Sequence, residues 1–396
     1  MLRVAVLRET APGETRVALV PETLARLIKA GLSVGIETGA GDAAGYLDRA
    51  YEEAGASIAQ DRATLLAGAD VLLVVQEPAE ADILQLRPGA IVAGFLRPGA
   101  NAPLFERMAA RGIGAFALER VPRTSRAQKM DALSSMSTVA GYRAVLLAAE
   151  RLPRFFPLLM TAAGTIPPAR VFVLGAGVAG LTAIATARRL GAVLEAFDVR
   201  PAVREEVESL GATFVSTQAA SAAHDPAAPG VLDVELGGSH VSSVGGSGGS
   251  GAYAGALSAD EERRERELIA RHVAGADVVI TTAAVPDRKA PLLITAAMVE
   301  SMKPGAVIVD LAADSGGNCE LTRPDQDTLA FGVHVLGPTN LPASLPGHAS
   351  QMLSRNLSAL LLHLVKDGAL ALDFADDITL GACVARPRPV AQGAGA

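Results

Sequence analysis

The chain is poor in cysteine, tryptophan and basic charge. It has two cysteines, Cys319 and Cys383, no tryptophan and only 4% aromatic residues in 396 positions. Two cysteines so far apart in the sequence argue against a disulfide framework and a zinc site, and they favour a reducing compartment. The formal net charge of −7 leaves no basic surface for nucleic acid, and the scarcity of aromatic rings weakens any model of base stacking.

Long apolar runs are also missing, although half of the residues are apolar. Charged residues interrupt each run before about 18 residues, so no membrane span is predicted. The N-terminal MLRVAVLRE carries charges at once and lacks the apolar core of a signal peptide. A chain of 396 residues exceeds the size at which one hydrophobic core keeps growing, so we expect two domains.

The most informative motif is GAGVAG, which lies between an apolar strand, Val171 to Leu174, and a helical run, Leu181 to Leu190. In such a βαβ unit the first glycine permits a tight turn, the second removes the Cβ that would block a pyrophosphate, and the third lets the helix pack close to the sheet. The phosphates would lie at the helix N-terminus, where free N–H groups favour anions. The predicted cofactor-binding turn comprises Gly175, Gly177, Val178, Ala179 and Gly180.

A second apolar strand, Val193 to Phe197, ends at Asp198, 18 residues after the last glycine. A carboxylate there would accept the adenosine ribose hydroxyls and repel the 2′-phosphate of NADP, which favours NAD. Val199 and Arg200 follow, and the Arg200 guanidinium keeps phosphate binding open. A structural glycine-rich turn that binds no nucleotide is the alternative interpretation.

Apolar strands alternate with helical segments along the chain, which is typical of parallel sheets covered on both faces. We therefore predict an α/β fold with two Rossmann-like domains, whose parallel sheets are separated by a nucleotide-binding cleft. The first domain would span residues 1–138 and be completed by 345–396, and the NAD(H)-binding domain would span 139–344. Predicted strands are Leu2–Val6, Ser33–Glu37, Asp70–Val75, Ala90–Phe95, Gly114–Leu118, Ala212–Val215, Asp277–Thr281, Ala306–Asp310 and Val333–Leu336.

Two predicted loops carry candidate functional groups. The first, Pro122 to Tyr142, follows the last strand of the first domain and is rich in polar side chains. It would fix the nicotinamide carboxamide and ribose; a helix N-cap with a solvated loop is the alternative. The second, Ser216 to Ser258, is rich in Gly and Ser and is either a plain linker or a lid. The candidate residues are Arg123, Gln128, Asp131 and Ser134 in the first loop, and Tyr253 in the second.

A Gly-rich turn after the predicted strand at Ala306–Asp310 contains Asn318 and Cys319. Asp310 and Asn318 are equally well explained by nucleotide contact and by turn chemistry.

Several segments together resemble the NAD(H)-binding component of proton-translocating NAD(P) transhydrogenase, called domain I or the alpha-1 subunit. These are RETAPGETRVALVPE, PRTSRAQKMDALSS, TAAGTIPPARVFVLGAGVAGLTAIATARRLGA, FDVRP and VIVDLAADSGGNCEL. The resemblance covers nearly the whole chain and implies direct hydride transfer between NADH and NADP⁺. It also implies that Arg123, Gln128 and Asp131, with Ser134 beside them, position the nicotinamide, and that Tyr253 belongs to a mobile loop.

The same resemblance implies partners. The chain would be a homodimer, with residues 161–170 similar to the family's dimer-forming hairpin. It would bind a membrane subunit that conducts protons and a subunit that holds NADP(H), and it would lie on the cytoplasmic side of the inner membrane only through those partners. The direction of transfer, its Si or Re specificity and the proton stoichiometry stay open.

Alanine dehydrogenase, which shares the fold and the opening motif, is the alternative. Its amino-acid chemistry needs a proton-handling group and a cation, usually His and Lys. Gln76 stands where that family has the Lys, Phe95 and Leu96 stand where its His would fall, and the first histidine is His224. A non-catalytic NAD(H)-sensing subunit is a third possibility with the same Rossmann core.

Overall fold

The computed structural model describes residues 1–216, 259–284 and 288–387, so Tyr253 and most of the second predicted loop lie outside the described residues. The chain divides into two compact units. The first contains Met1–Ala144 and the C-terminal segment from Asn340, and the second contains Val145–Thr339. No helix in the described ranges combines the length and apolar character needed to cross a membrane.

The secondary structure alternates between strands and helices. The strands are β1 Leu2–Val6, β2 Leu32–Glu37, β3 Ser57–Ala59, β4 Val71–Leu73, β5 Ile91–Gly94, β6 Gly114–Ala117, β7 Leu159–Thr161, β8 Gly164–Ile166, β9 Arg170–Leu174, β10 Val193–Phe197, β11 Thr213–Val215, β12 Val278–Thr281, β13 Val307–Asp310, β14 Asp327–Ala330, β15 Val333–Leu336, β16 Val365–Lys366, β17 Ala369–Leu370 and β18 Cys383–Ala385.

The α-helices vary from one turn to about five turns. They are α1 Pro21–Lys29, α2 Asp48–Glu53, α3 Arg62–Gly68, α4 Glu80–Gln85, α5 Ala102–Ala110, α6 Ala132–Arg151, α7 Val178–Arg189, α8 Arg204–Ser209, α9 Ala259–Gly275, α10 Ala296–Glu300, α11 Pro346–His363 and α12 Asp377–Ala382. Short 3-10 helices lie at Asp42–Ala44, Leu118–Arg120, Ser125–Met130, Pro201–Val203, Ala313–Ser315 and Leu341–Ser344.

The sheet of the first unit has the doubly wound strand order. Its described strands follow the order β3-β2-β1-β4-β5-β6, all parallel, and β18 is added antiparallel to β6. The central strands β4, β5 and β6 are buried along their whole length, which is why they read as unbroken apolar runs. Through this pairing, the C-terminal strand β18 becomes part of the sheet of the first unit.

The sheet of the second unit repeats this order. Its described strands run β11-β10-β9-β12-β13-β15, all parallel, with β14 antiparallel at the edge beside β15. In both sheets the direction of winding reverses at the centre, between β1 and β4 or between β9 and β12, and open sheets bind ligands at this switch point. The predicted α/β class with two Rossmann-like sheets is confirmed.

Candidate functional site

The turn between β9 and α7 requires glycine at its first and third motif positions. Gly175 has a positive φ of +102°, and a Cβ on it would lie 2.5 Å from Oγ1 of Thr282. A Cβ on Gly180 would lie 1.8 Å from the carbonyl oxygen of Gly175. These two glycines therefore shape the protein itself, one as a left-handed turn and one as a close helix contact.

Gly177 differs, because no protein atom apart from the adjacent backbone lies within 4 Å of where its Cβ would be. Its backbone is extended, with φ −78° and ψ −171°, a conformation that other residues adopt as well. It is the N-cap residue of α7, and no side chain caps this end of the helix. The helix terminus thus presents backbone N–H groups beside open space, which is the arrangement that favours a bound phosphate.

Asp198 follows β10 and takes part in shaping the turn. Its Oδ2 accepts a 2.7 Å hydrogen bond from the N–H of Ala176, inside the glycine motif. Burial alone would raise the pKa of Asp198, but hydrogen bonds from Arg200 and from Ala176 N–H outweigh it and lower that pKa. The carboxylate is therefore charged at neutral pH and supplies negative charge next to the turn.

Arg200 is engaged by the same carboxylate. Its Nε and Nη2 lie 2.9 Å from Oδ1 and Oδ2 of Asp198, a two-point contact. From the sequence alone, the positive charge of Arg200 left the binding of a phosphate, and so of NADP, possible. In the structure that charge is paired with Asp198. Val199 between them is exposed.

Thr282, just after β12, is a positioning residue that the motif alone does not reveal. Its Oγ1 donates to the carbonyl oxygen of Gly175 at 3.0 Å and so ties the glycine turn to the neighbouring strand end. The signal that could have found it is topological. In a Rossmann sheet the strand that lies beside the glycine strand on the other side of the switch point ends next to the turn.

The side chains of Asp310 and Asn318 form hydrogen bonds to protein groups around the turn that follows β13. The Asp310 carboxylate is fully buried and accepts from the hydroxyls of Thr281 and Thr322 at 2.8 and 2.6 Å. It also accepts from the N–H groups of Ala312, Asn318 and Cys319. The Asn318 amide spans Ala283 and Pro291. Of the two interpretations of this segment, turn chemistry is the one that these contacts support.

The segment Pro122–Tyr142 is only partly a loop. It contains the 3-10 helix Ser125–Met130, and α6 begins at Ala132, so the prediction of a continuous loop is wrong. Asp131 caps α6: its Oδ1 and Oδ2 accept from N–H and Oγ of Ser134 at 2.9 and 2.6 Å. A carboxylate at this position pairs with helix N–H groups that have no partner in the helix.

The structure brings Asp131 and Ser134 into contact with each other, and it places Arg123 and Gln128 differently. Both of these side chains are exposed, and neither forms a hydrogen bond or an ion pair with any residue of the described ranges. Their proposed contact with nicotinamide stays a prediction. Tyr253, the remaining candidate, lies outside the described residues.

The switch point of the first unit holds a polar cluster that the sequence did not predict, with the side chains of Arg16 and Glu14 buried at its centre. Arg16 Nε donates to Glu14 Oε1 at 2.7 Å, and Gln76 Nε2 donates to Glu14 Oε2 at 2.7 Å. Asn340 contacts both members of the pair, at 3.1 Å from Glu14 and 3.2 Å from Arg16. Glu9 accepts a 2.6 Å hydrogen bond from Val75 N–H. The cluster is defined here as Glu9, Glu14, Arg16, Gln76 and Asn340.

The pKa values of the two carboxylates in this cluster are shifted in opposite directions. Burial is the largest influence on Glu9 and raises its pKa from 4.5 to about 7. Burial also acts to raise the pKa of Glu14, but the hydrogen bond and charge of Arg16 outweigh it and lower that pKa to about 2. Glu14 therefore stays ionised and remains paired with the Arg16 guanidinium.

Comparison with known proteins identifies the family. The model described as the alanine dehydrogenase/PNT N-terminal domain matches residues 5–140, and the model of the C-terminal domain matches residues 144–392. The chain is 41% identical over 392 residues to a Rhodospirillum rubrum protein whose name makes it the first portion of NAD(P) transhydrogenase subunit alpha, covering 97% of this chain and 96% of that protein.

Two further relatives extend the comparison. The crystal structure of transhydrogenase from Sinorhizobium meliloti matches with a TM-score of 0.84 at 38% identity, covering 97% of this chain and 99% of that one. Alanine dehydrogenase of Mycobacterium tuberculosis is 31% identical over 377 residues, covering 93% of this chain and 88% of that protein. The resemblance drawn from the sequence motifs is confirmed, and the chain belongs to the alanine dehydrogenase/PNT family.

Proposed function

We propose that this chain is the NAD(H)-binding component of a transhydrogenase, an oxidoreductase that transfers hydride directly between NADH and NADP⁺ held on a partner domain. The observation that carries the proposal is the open helix terminus at Gly177, next to the charged Asp198. The similarity to the Rhodospirillum rubrum relative, named as a portion of NAD(P) transhydrogenase subunit alpha, supports this choice of reaction.

Candidate residues of both predicted segments have roles in this proposal. The N–H groups of Val178, Ala179 and Gly180 would hold the pyrophosphate, and Asp198 would accept a ribose hydroxyl. Gln128 and Arg123, whose exposed side chains have polar groups to offer, would orient the nicotinamide carboxamide. Asp131, which caps α6 through its contact with Ser134, would fix the end of the segment that carries Arg123 and Gln128.

Bound NADH supplies the hydride, and the protein supplies position. Because hydride passes directly between two nicotinamide rings, no proton moves at the reacting carbons and no general acid or base is needed. The side chains named above would bring the ring to a near-attack geometry and exclude water. This is consistent with the first unit, in which the Arg16 guanidinium is already hydrogen-bonded to the Glu14 carboxylate.

The proposal extends to partners and assembly. The relative is named as a portion of one subunit, alpha, which indicates a multi-subunit enzyme. We propose that this chain binds an NADP(H)-binding subunit and a proton-conducting membrane subunit on its cytoplasmic side, and that proton translocation is a property of the assembly. The working domains would be residues 1–138 with 345–396, and 139–344.

A homodimer is supported by exposed apolar side chains in one segment of the second unit. The hairpin of β7 and β8 carries Met160, which is 80% exposed, and Ile166, and Leu158 precedes it. Exposed apolar patches of this kind mark interaction surfaces. A second copy of the chain would cover them.

The experiment mixes the purified chain with an NADP(H)-loaded transhydrogenase partner domain and an oxidised NAD analogue, and it follows reduction of the analogue spectroscopically. Alanine with NAD is the control. Rapid reduction that needs both proteins, without turnover of alanine, supports the proposal. Turnover of alanine would assign the chain to the dehydrogenases, and NADH binding without transfer would favour a sensing role.

A further inference from the structure

The 3-10 helix Ser125–Met130 has one face buried in the first unit and one face exposed. With three residues per turn, Ala127 and Met130 lie on the same side, and both are buried. They belong to a core cluster that also contains residues of α11 and α12, among them Leu357 and Ile378. The C-terminal segment therefore provides the surface on which this helix lies.

A backbone contact fixes the end of the same helix. Nδ2 of Asn356, a buried residue of α11, donates to the carbonyl oxygen of Lys129 at 2.9 Å. Gln128, one residue earlier, is thus held by its neighbour while its own side chain stays exposed.

Arg126 makes the second polar contact. Its Nη2 lies 2.9 Å from Oδ1 of Asp376 and also donates to Asp377. The carboxylate it contacts is itself fixed, because Asp376 Oδ2 accepts from Ile378 N–H at 3.0 Å and Thr379 N–H at 2.9 Å.

His363 completes the surroundings of Asp376. The ring Nε2 of His363 lies 2.9 Å from Asp376 Oδ2. The hydrogen bond from Thr379 N–H, with those from His363 and Arg126, holds the pKa of Asp376 well below its usual range. Arg126 therefore meets a carboxylate that is ionised and hydrogen-bonded to three neighbouring groups.

We propose that Arg126 is a positioning residue for the segment 123–130, called here the nicotinamide loop. Arg126 holds this segment through Asp376 and Asp377 of the C-terminal segment. The inference rests on the proposed function, since Arg123 and Gln128 flank Arg126 on that loop. The Arg126 side chain is 63% exposed, and an ion pair so exposed contributes little to folding stability. The ion pair instead fixes the orientation of the backbone that carries the exposed side chains of Arg123 and Gln128.

The test compares Arg126→Gln with Arg126→Lys, Asp377→Asn and the double variant Arg126→Gln/Asp377→Asn. Arg49→Gln is the matched control, because Arg49 forms an exposed ion pair with Glu53 at 2.7 Å in the same unit. Each full-length variant is assayed for NADH affinity, for single-turnover hydride transfer to the NADP⁺-loaded partner domain at saturating NADH, and for amide hydrogen exchange of the peptide covering 124–131.

For Arg126→Gln we expect a hydride-transfer rate about tenfold lower with NADH affinity within about twofold, because the glycine turn is untouched while a misplaced loop slows transfer. Arg126→Lys keeps the positive charge but replaces the planar guanidinium, whose Nη2 makes both contacts, and should regain about half of the lost rate. The double variant should be no slower than Arg126→Gln, since Arg126→Gln already removes the contact with Asp377. Loop amides should exchange faster in Arg126→Gln and not in Arg49→Gln.

The inference is overturned if wild type transfers hydride and Arg126→Gln matches Arg49→Gln in rate and exchange. If wild type transfers no hydride, the proposed function fails, and the exchange comparison still decides whether Arg126 orders the loop. If Arg126→Gln does not fold, Arg126→Lys and Asp377→Asn carry the same comparison.

Discussion

The two units share one strand order and differ at the switch point. In the second unit the ends of β9 and β12 present Gly175 and Thr282, with open space beside Gly177. In the first unit the ends of β1 and β4 are joined by Glu9 and Val75 and lie beside the Glu14–Arg16 pair. Topology alone marks both places as ligand sites. The side chains decide which one can take a dinucleotide, so function belongs to the site and not to the fold.

The largest expected effect comes from breaking the charge pair of the first unit. Glu14→Gln removes the charge opposite Arg16, whose side chain is 5% exposed, and a buried cation that loses its partner destabilises a fold by about 3–5 kcal/mol. We expect a loss of about 3 kcal/mol in the free energy of unfolding, measured by urea denaturation. Glu53→Gln, which breaks the exposed pair with Arg49, should change it by less than about 1 kcal/mol. Equal effects of the two substitutions would contradict a buried, structural cluster.

The next effect is a pH dependence confined to the first unit. Because the pKa of Glu9 rises from 4.5 to about 7 on folding, the unfolded chain releases this proton at lower pH than the folded chain. Stability from this group is fully present below pH 4.5 and is lost as the pH rises through 7. Glu9→Gln cannot ionise and keeps an acceptor for Val75.

Glu9→Gln should therefore match wild type at about pH 4 and be more stable at about pH 8 by roughly 2–3 kcal/mol. The measurement is urea unfolding of both proteins across this range. A difference that does not change with pH would show that Glu9 ionises freely in the folded protein.

Gly180→Ala tests the packing of the second switch point. The added Cβ would lie 1.8 Å from the carbonyl oxygen of Gly175, so backbone must shift, at a cost of about 1–3 kcal/mol. Thermal unfolding should show the loss, and NADH binding should fall with it. Gly275→Ala, where the new Cβ meets nothing within 4 Å beyond the adjacent backbone, should leave NADH binding unchanged and should not lower stability. A Gly180→Ala protein with wild-type stability would mean that α7 does not pack as closely as described.

The sequence allowed the inner strands of both sheets and the edge strand β11 to be predicted, and it missed the other three edge strands. Val193–Phe197 and Val333–Leu336 coincide with β10 and β15, because buried parallel strands form compact apolar runs. The edge strands β3, β14 and β18 escaped prediction, since each is short and partly exposed and lacks such a run.

The candidate site was predictable where a local motif encodes it and not where distant residues meet. The glycine turn and Asp198 lie within one βαβ unit. Thr282 lies 107 residues from Gly175, and Glu9 lies 66 residues from Val75, so only the sheet order brings them together. The start of α6 was mistaken for loop because its Ser- and Thr-rich first turns have weak helix propensity, while the capping role of Asp131 was one of the alternatives.

The central claim is that the open space at Gly177 is where the dinucleotide phosphates bind. The most direct measurement is a fluorescence titration of NADH into wild type, Gly177→Ala and Gly275→Ala, with thermal unfolding of each. Apart from the adjacent backbone, no protein atom lies within 4 Å of either added Cβ, so neither substitution should lower stability. We predict that Gly177→Ala weakens NADH binding about tenfold or more, roughly 1.4 kcal/mol, while Gly275→Ala binds as wild type does. Unchanged NADH affinity in Gly177→Ala would contradict the account.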